Sequence, residues 1–340
     1  MNLYPTSVIS IPDAPAIVGL IFRQLRPESD FPLMLHVSST SEIFDRQHNS
    51  VTLENVVRNY AKRETFNPAR DVILAEVDEQ LVGYGRVYWW SEINEGPLIF
   101  ESLGFVLPEW RRQGIGRILL HWLENRAHEI AKVQSPTRAK FLQGFANPVQ
   151  VAKTALFEKS GYAPIRQGNE MVRPTLDDIA DFPLPYGVEL RPAQPEHYRT
   201  IWEAAREAFR DHWGAGEETE DDYQEWLADP ILMRTELWRV AWDVATNQIA
   251  GQVRTFINPH DNAKYNRKRG YTEYISVGRP WRKRGLARAL ISRSLNVQKA
   301  QGMTESALSV DSKNLSGATR VYEDCGFHVE NATTFYRKPM

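Results

Sequence analysis

The sequence contains itself twice. "LGFVLPEWRRQGIGRILLHWL" (103–123) and "YISVGRPWRKRGLARALISRSL" (274–295) agree in order and character. Each passes from a β-rich stretch ending at Val106 or Val277, through a proline–tryptophan break, to an arginine five residues on, Arg111 or Arg282. A Gly-x-Gly or Gly-x-Ala and an amphipathic helical period follow, with Gly114 and Gly285 standing 171 residues apart. Downstream, "ALFEKSGY" (155–162) matches "RVYEDCGF" (320–327). Upstream, "DVILAEVDEQLVGYGRVYWW" (71–90) and "LWRVAWDVATNQIAGQVRTFI" (237–257) both read as strand, polar turn, strand. Segments repeated once, in one order and over this length, mean a duplicated domain and not a short solenoid. The expectation is two domains, 1–180 and 187–340, joined by the acidic, non-periodic, proline-bearing "LDDIADFPLPYG" (176–187). "VELRPA" (188–193) opens the second copy as a strand, and a helix is expected from about 195 to 209. Each half then reads β-α-β-β-β-α-β-α-β, which predicts an α/β (α+β) fold with a mixed central sheet flanked by helices.

Composition narrows the partners. The 340 residues carry a formal net charge of −2, so nothing global attracts nucleic acid or an anionic membrane, and a basic patch must act locally. The single cysteine, Cys325, excludes an internal disulfide and reads as a small packed residue. The eight histidines lack paired metal spacing, so no metal is expected. No basic leader precedes an apolar core, and the apolar run "APAIVGLIF" is too short to span a bilayer. A soluble, cytoplasmic monomer or homodimer is expected.

Charge sits in one odd place. Arg279, Arg282, Lys283, Arg284 and Arg288 crowd the start of a helix that the period Leu286, Leu290, Ile291, Leu295 begins near Gly285. A helix N-terminus already carries about half a positive charge, so cations there are repelled. Either the loop is simply solvated, or an anion reverses the argument, since unbonded amides, the dipole and flanking Arg and Lys together make a phosphate site.

The doubled Arg/Gln-x-x-Gly-x-Gly/Ala between strand and helix, each followed by an aromatic-Glu-x-x-Gly-aromatic ending, resembles the GNAT superfamily of acetyl-coenzyme A-dependent N-acetyltransferases in tandem arrangement. The resemblance covers nearly the whole chain and is weaker over 1–70. "SVGRPWRKRGLARALI", "SVDSKNLSGATRVYEDCGF" and "AFRDHWG" (208–214) make the C-terminal half most similar to mycothiol synthase-like members. Neither copy has the full G-x-G-x-x-G of a dinucleotide site.

The resemblance implies a coenzyme A cradle built from Arg282, Lys283, Arg284, Gly285, Leu286, Ala287 and Arg288, with Ile275, Ser276, Val277 and Asn314 lining the cofactor. By the same analogy Phe105, Val106, Arg111, Arg112, Gln113, Gly114, Ile115, Gly116 and Arg117 form a cradle in the first half. Tyr322 takes the position of the family's general acid, with a core aromatic as its plainer reading. Phe157 stands there in the first half and has no proton to give, which implies an active C-terminal half beside a degenerate one. Glu273 is the candidate general base, or else a solvent-facing strand carboxylate; alternation puts it on one face with Tyr271, Ile275 and Val277. Asp211, His212 and Trp213 lie where the family receives its acceptor, or form a surface loop. The function implied is transfer of acetyl from acetyl-coenzyme A to a small-molecule amine by direct attack. Alternatives are a catalytically silent acyl-coenzyme A-binding protein and a protein or peptide N-acetyltransferase.

Overall fold

The computed structural model describes residues 8–47, 51–314 and 317–340. In chain order its elements begin β1 (Val8–Ile9), β2 (Leu20–Arg23), α1 (Pro27–Phe44), α2 (Leu53–Asn59), α3 (Pro68–Asp71), β3 (Val72–Val77), β4 (Gln80–Ser91) and β5 (Leu98–Val106). α4 (Ile115–Ala131), β6 (Lys140–Ala146), α5 (Val151–Lys159) and β7 (Ala163–Arg173) follow. The second series is β8 (Val188–Arg191), α6 (Tyr198–Phe209), α7 (Glu220–Ala228), β9 (Arg239–Asp243), β10 (Ile249–Phe256), α8 (Pro259–Lys264), β11 (Arg269–Val277), α9 (Leu286–Ala300), β12 (Glu305–Asp311), α10 (Ala318–Asp324) and β13 (His328–Pro339). The order expected from the repeat is present in both halves, with the strand β1 and the short helices α2, α3, α7 and α8 added.

The chain forms two compact units, and they do not follow the linear halves 1–180 and 187–340. Unit 1 runs to Ile165 and takes back Thr334–Met340; unit 2 spans Arg166–Thr333. The cause is the addressing of the last strands. In unit 1, Thr334–Pro339 of β13 pair antiparallel with β6, from Thr334 opposite Ala146 to Pro339 opposite Phe141. In unit 2, Gly168–Arg173 of β7 pair antiparallel with β12. Each unit thus completes its sheet with a strand that the other half of the sequence encodes.

Within unit 1, β2 to β5 are antiparallel neighbours in sequence order and β5 runs parallel to β6. The apolar stripe of α4 (Ile115, Ile118, Leu119, Leu123, Ala127) covers one face against Phe22, Ile73, Phe100 and Leu142. α1 and α2 cover the other, where Met34, Val37, Val56 and Tyr60 meet Leu74, Leu81 and Tyr84. Unit 2 repeats the plan, with β8 to β11 antiparallel and β11 parallel to β12. α9 packs Leu286 and Leu290 on one face against Ala250 and Val253. α6 and α7 pack the other, where Trp202, Trp226, Trp238 and Trp242 form one aromatic cluster. The segment 176–187 holds no helix or strand and is no free tether. Arg173 donates to the Asp178 carbonyl (2.6 Å), Ser292 to the Ala180 carbonyl (2.5 Å) and Arg293 to the Phe182 carbonyl (2.7 Å), all within unit 2. No helix among the described residues is long and apolar enough to cross a membrane.

Tyr336 is buried in the unit 1 core, its ring stacked 5.5 Å from that of Phe157. Tyr336→Ala should cost unit 1 about 3–5 kcal/mol, the usual scale for emptying a buried aromatic site. Deleting Thr334–Met340 should destabilise it further by baring the edge of β6. Scanning calorimetry should show the unit 1 transition move while that of unit 2 stays in place.

Candidate functional site

The two strand–helix junctions share one backbone. After β5 and after β11 the chain makes a single 3-10 turn, Pro108–Trp110 or Arg279–Trp281. It then turns left-handed twice: at Arg112 (φ 66°) and Gly114 (φ 93°), and at Lys283 (φ 59°) and Gly285 (φ 83°). Glycine suits the second position of each pair; Arg112 and Lys283 hold theirs at a cost of about 1–2 kcal/mol each. Alternation of this kind turns successive amides toward one point, a concavity that binds anions. The first bonds drawn back to each N-cap are Ile118 N to the Gly114 carbonyl and Ala289 N to the Gly285 carbonyl, both 3.2 Å. The amides before them are those a helix leaves unbonded. The same strained loop, kept in both copies, is the geometry a pyrophosphate needs.

What fixes the loop is an arginine. Arg111 turns its Nε back onto the Val106 carbonyl (3.0 Å) and grips Asp45, at the end of α1, at 2.6 and 3.2 Å. Arg282 does the same with the Val277 carbonyl (3.1 Å) and reaches Asp211, just past α6, at 3.5 Å. These two guanidiniums, expected at the phosphate, are engaged with the protein itself. Asp211, expected at the acceptor, also pairs with Arg279 (2.9 Å), which with Arg282 holds its carboxyl below the usual range. His212 stacks edge-on against Phe209, 4.6 Å between ring centroids, and burial lowers its pKa. Arg166 lies over the Trp213 ring. Asp211 therefore braces the cradle.

The remaining cradle residues divide cleanly. Arg112, Arg117 and Lys283 are exposed beside the concavity. Arg284 donates to the Tyr186 carbonyl (3.1 Å), Arg288 pairs with Asp324 (3.3 Å), and Gln113 donates to the Glu109 carbonyl (3.0 Å). Ile115 and Leu286 are buried core anchors, so only their backbone can face a ligand. Gly116 and Ala287 hold the second turn position, half-buried, and Asn314 lies in the turn after β12.

Beside each cradle two parallel strands part. β5 and β6 pair only from Leu98–Lys140 to Glu101–Gln143, and β11 and β12 only from Arg269–Glu305 to Tyr271–Ala307. Beyond those pairs the edge of each strand faces a slot. In unit 1 a cleft of about 590 Å³ joins this slot to the cradle, lined by Gly104, Phe105, Val106, Gly116, Lys153 and Leu156 among others. A phosphate concavity continuous with a largely apolar slot fits the anionic end and the pantetheine arm of coenzyme A.

The strands themselves differ. β5 keeps unbroken register with β4 from Leu98 to Val106. β11 carries a bulge: Glu273 lies opposite Arg254 and Ser276 opposite Gln252, with Tyr274 left-handed at φ 51° between them. The bulge breaks the expected alternation. Ile275 and Val277 turn to the α9 face, where they pack with Leu286 and Leu290, while Glu273 and Tyr271 face α6 with Arg254 and Phe256. Tyr271 stacks on Phe256 (4.8 Å) and donates to Asp261 (2.6 Å). Ser276 is buried. Glu273 accepts a hydrogen bond from the Ser309 amide of β12 (2.8 Å), so its carboxylate bridges the slot. It is half-exposed, and burial pushes its pKa up to about 7.

The ring of Tyr322 is packed in the unit 2 core against Met171, Ile291 and Leu308. Burial first, then the Glu273 carboxylate and Cys325, hold its phenol protonated. Its counterpart Phe157 fills the space over Gly144 in unit 1, with 2.4 Å from a ring carbon to where a Cβ would stand. Two side chains escaped the sequence reading. Lys153, in the unit 1 cleft, has its pKa lowered to about 8 by burial, against the pull of Asp45 and Glu101. In "VAKTALFEK" it looks like any surface helix lysine. Arg254 was detectable as the lone charge in the apolar strand "IAGQVRTF".

Comparison with known proteins agrees with this geometry. Residues 198–327 match the model of the Acetyltransferase (GNAT) family, and 68–164 match that of the Acetyltransferase (GNAT) domain. The chain is 28% identical over 267 residues to the mycothiol acetyltransferase of Catenulispora acidiphila, covering 78% of this chain and 79% of that protein. It is 29% identical over 282 residues to that of Salinispora arenicola, covering 81% and 84%. Among solved structures, a GCN5-related N-acetyltransferase from Sphaerobacter thermophilus superposes with a TM-score of 0.72 at 25% identity, over 97% of each chain. A tandem GNAT protein from the clavulanic acid biosynthesis pathway shares the fold, with a TM-score of 0.64 at 16% identity over 94% of this chain and 98% of that one.

The clamp and the free cations should separate in experiment. Arg111→Met leaves the buried Asp45 without its ion-pair partner, with only the Gln150 amide still donating to it, and should destabilise unit 1 by about 1–3 kcal/mol. Lys283→Gln should leave the unliganded melting temperature unchanged, as exposed substitutions do, and weaken coenzyme A binding. Melting curves with and without coenzyme A check both.

Proposed function

The chain belongs to the GNAT acetyltransferases, with one such domain in each half, and we propose that unit 2 transfers acetyl from acetyl-coenzyme A to the amine of a small-molecule acceptor in the cytoplasm. The observation that carries this reading is the bulge at Tyr274, which sets Glu273 at the slot with the Tyr322 phenol in its field. Unit 1 has neither feature: its β5 is regular and Phe157 replaces the phenol. The mycothiol acetyltransferase relatives favour a small-molecule amine as acceptor.

Bound acetyl-coenzyme A supplies an acyl group already activated as a thioester, so the protein's tasks are placement and proton handling. The amides and exposed cations of 283–288 hold the pyrophosphate. The free edge of 272–277 holds the pantetheine arm and offers amides to the carbonyl oxygen. Glu273, with a pKa near the working pH, takes the proton that the acceptor ammonium must lose. Tyr322, kept protonated by burial, donates to the departing sulfur. The nitrogen–carbon bond forms as the carbon–sulfur bond breaks. The nitrogen sheds two protons: Glu273 takes one before attack, and the second passes to the Tyr322 phenolate that has just protonated the sulfur. One proton is therefore released overall, from Glu273. Unit 1, with cradle and cleft but no phenol, supports cofactor binding without turnover.

Two substitutions test the assignment. Tyr322→Phe should slow single-turnover thiol release roughly 10²-fold or more while melting temperature and coenzyme A affinity hold. A wild-type rate would reduce Tyr322 to a core aromatic. The kcat/KM of the wild type should rise with pH through about 7 as Glu273 loses its proton, and Glu273→Gln should remove that limb. The same shift has a stability sign. The unfolded carboxylate ionises near 4.5 and the folded one only near 7, so stability falls as pH rises across that window. Glu273→Gln should flatten this dependence in pH-resolved melting.

A further inference from the structure

Arg254 is an arginine that the fold leaves incomplete. It is 5% exposed, and its Nε and Nη1 are buried with no hydrogen-bond partner. Other buried arginines are satisfied: Arg23 by Asp30 and Glu76 at 2.7 Å each, Arg269 by Glu305, Glu170 and Glu330, and Arg173 by the carbonyls of Thr175, Cys325 and Asp178. Arg254 has no such ion pair, and two rings lie against it. Its guanidinium carbon lies 4.0 Å from the centroid of Tyr274 and 5.1 Å from that of Trp226, whose own Nε1 is a further buried donor without an acceptor. Glu218 acts on it through space but is exposed and paired with Arg206 at 3.2 Å. Burial lowers the Arg254 pKa to about 10.

Its position adds the second observation. Arg254 is directly across the ladder from Glu273, on the same face of the sheet, where opposed side chains are neighbours. The two do not pair. Glu273 is turned to the Ser309 amide and Arg254 lies beneath Tyr274, a residue 38% exposed. The bulge that presents Glu273 thus also lays the covering aromatic over the cation. A buried donor without an acceptor destabilises a fold, so three of them together, beside the candidate base, point to an oxygen ligand that arrives with the substrate.

We propose that Arg254 binds a carboxylate of the acceptor, so that unit 2 acts on amino carboxylates whose amine and carboxylate lie a few bonds apart. The guanidinium fork matches a carboxylate in shape and charge, and the aromatic walls exclude water from the pair. The amine then meets Glu273 and the carboxylate passes through the reaction unchanged. This rests on the reading that unit 2 transfers acetyl to an amine.

The test uses the full chain saturated with acetyl-coenzyme A, or with coenzyme A for melting. The probes are a panel of α-amino acids and β-alanine, each beside its decarboxylated amine. Thiol release and melting temperature are read for wild type, Arg254→Met and Arg254→Lys. Amino carboxylates should exceed their decarboxylated partners in kcat/KM by about 10- to 100-fold, the scale of a hydrogen bond to a charged group. Arg254→Met should erase that preference and leave coenzyme A affinity unchanged. It should hold or raise the unliganded melting temperature, because it removes an unpaired buried charge, whereas a structural arginine would lower it. Arg254→Lys should restore part of the preference. Turnover of amines with no bias toward the carboxylate, or a bias that survives Arg254→Met, would overturn the carboxylate site and leave the transfer reading standing. Amino acids that stabilise wild type but not Arg254→Met, with no thiol released, would uphold the site and sink the transfer reading. If no amino carboxylate is turned over or stabilises, the inference is wrong.

Discussion

Both units hang on one guanidinium. Arg111 and Arg282 each reach back to the carbonyl five residues earlier and sideways to a carboxylate at the end of the first long helix. That grip joins strand, loop and helix at one atom cluster, and it holds two left-handed residues in place where the backbone alone would relax. The amides converge because the arginine leaves them no other conformation. The arginine shapes the loop from behind, which is a different role from lining its concave side.

Around this shared clamp the two copies have diverged in a few positions. A single bulge at Tyr274 turns Ile275 and Val277 to one face and presents Glu273 to the slot. One ring position holds a phenol in unit 2 and a bare phenyl in unit 1. Neither change touches the sheet order or the helix packing, so a fold can keep its framework while the side chains set upon it differ from one copy to the other.

The sequence made some of this legible and hid the rest for physical reasons. Gly114 and Gly285 announced themselves because only glycine rests easily at a left-handed N-cap, and the helix periods after them gave α4 and α9. The bulge was hidden because it sits at a tyrosine, a good strand former, with no glycine to mark it. Arg282 and Asp211 were read toward the ligands because a string of residues cannot show that two charges are already engaged with each other. The exchanged strands were hidden by the duplication itself: two similar halves offer similar edges, and nothing local says which sheet a last strand will join.

That exchange has a consequence for how the molecule is made. Unit 2 occupies one unbroken stretch, Arg166 to Thr333, while unit 1 waits for Thr334–Met340. On the ribosome the half synthesised first is therefore the half that matures last. Its β6 edge stays open through the translation of the whole of unit 2, until Thr334–Met340 emerge and close it. A frameshift or stop just after Thr333 would therefore damage unit 1, encoded upstream, and spare unit 2, encoded next to the lesion.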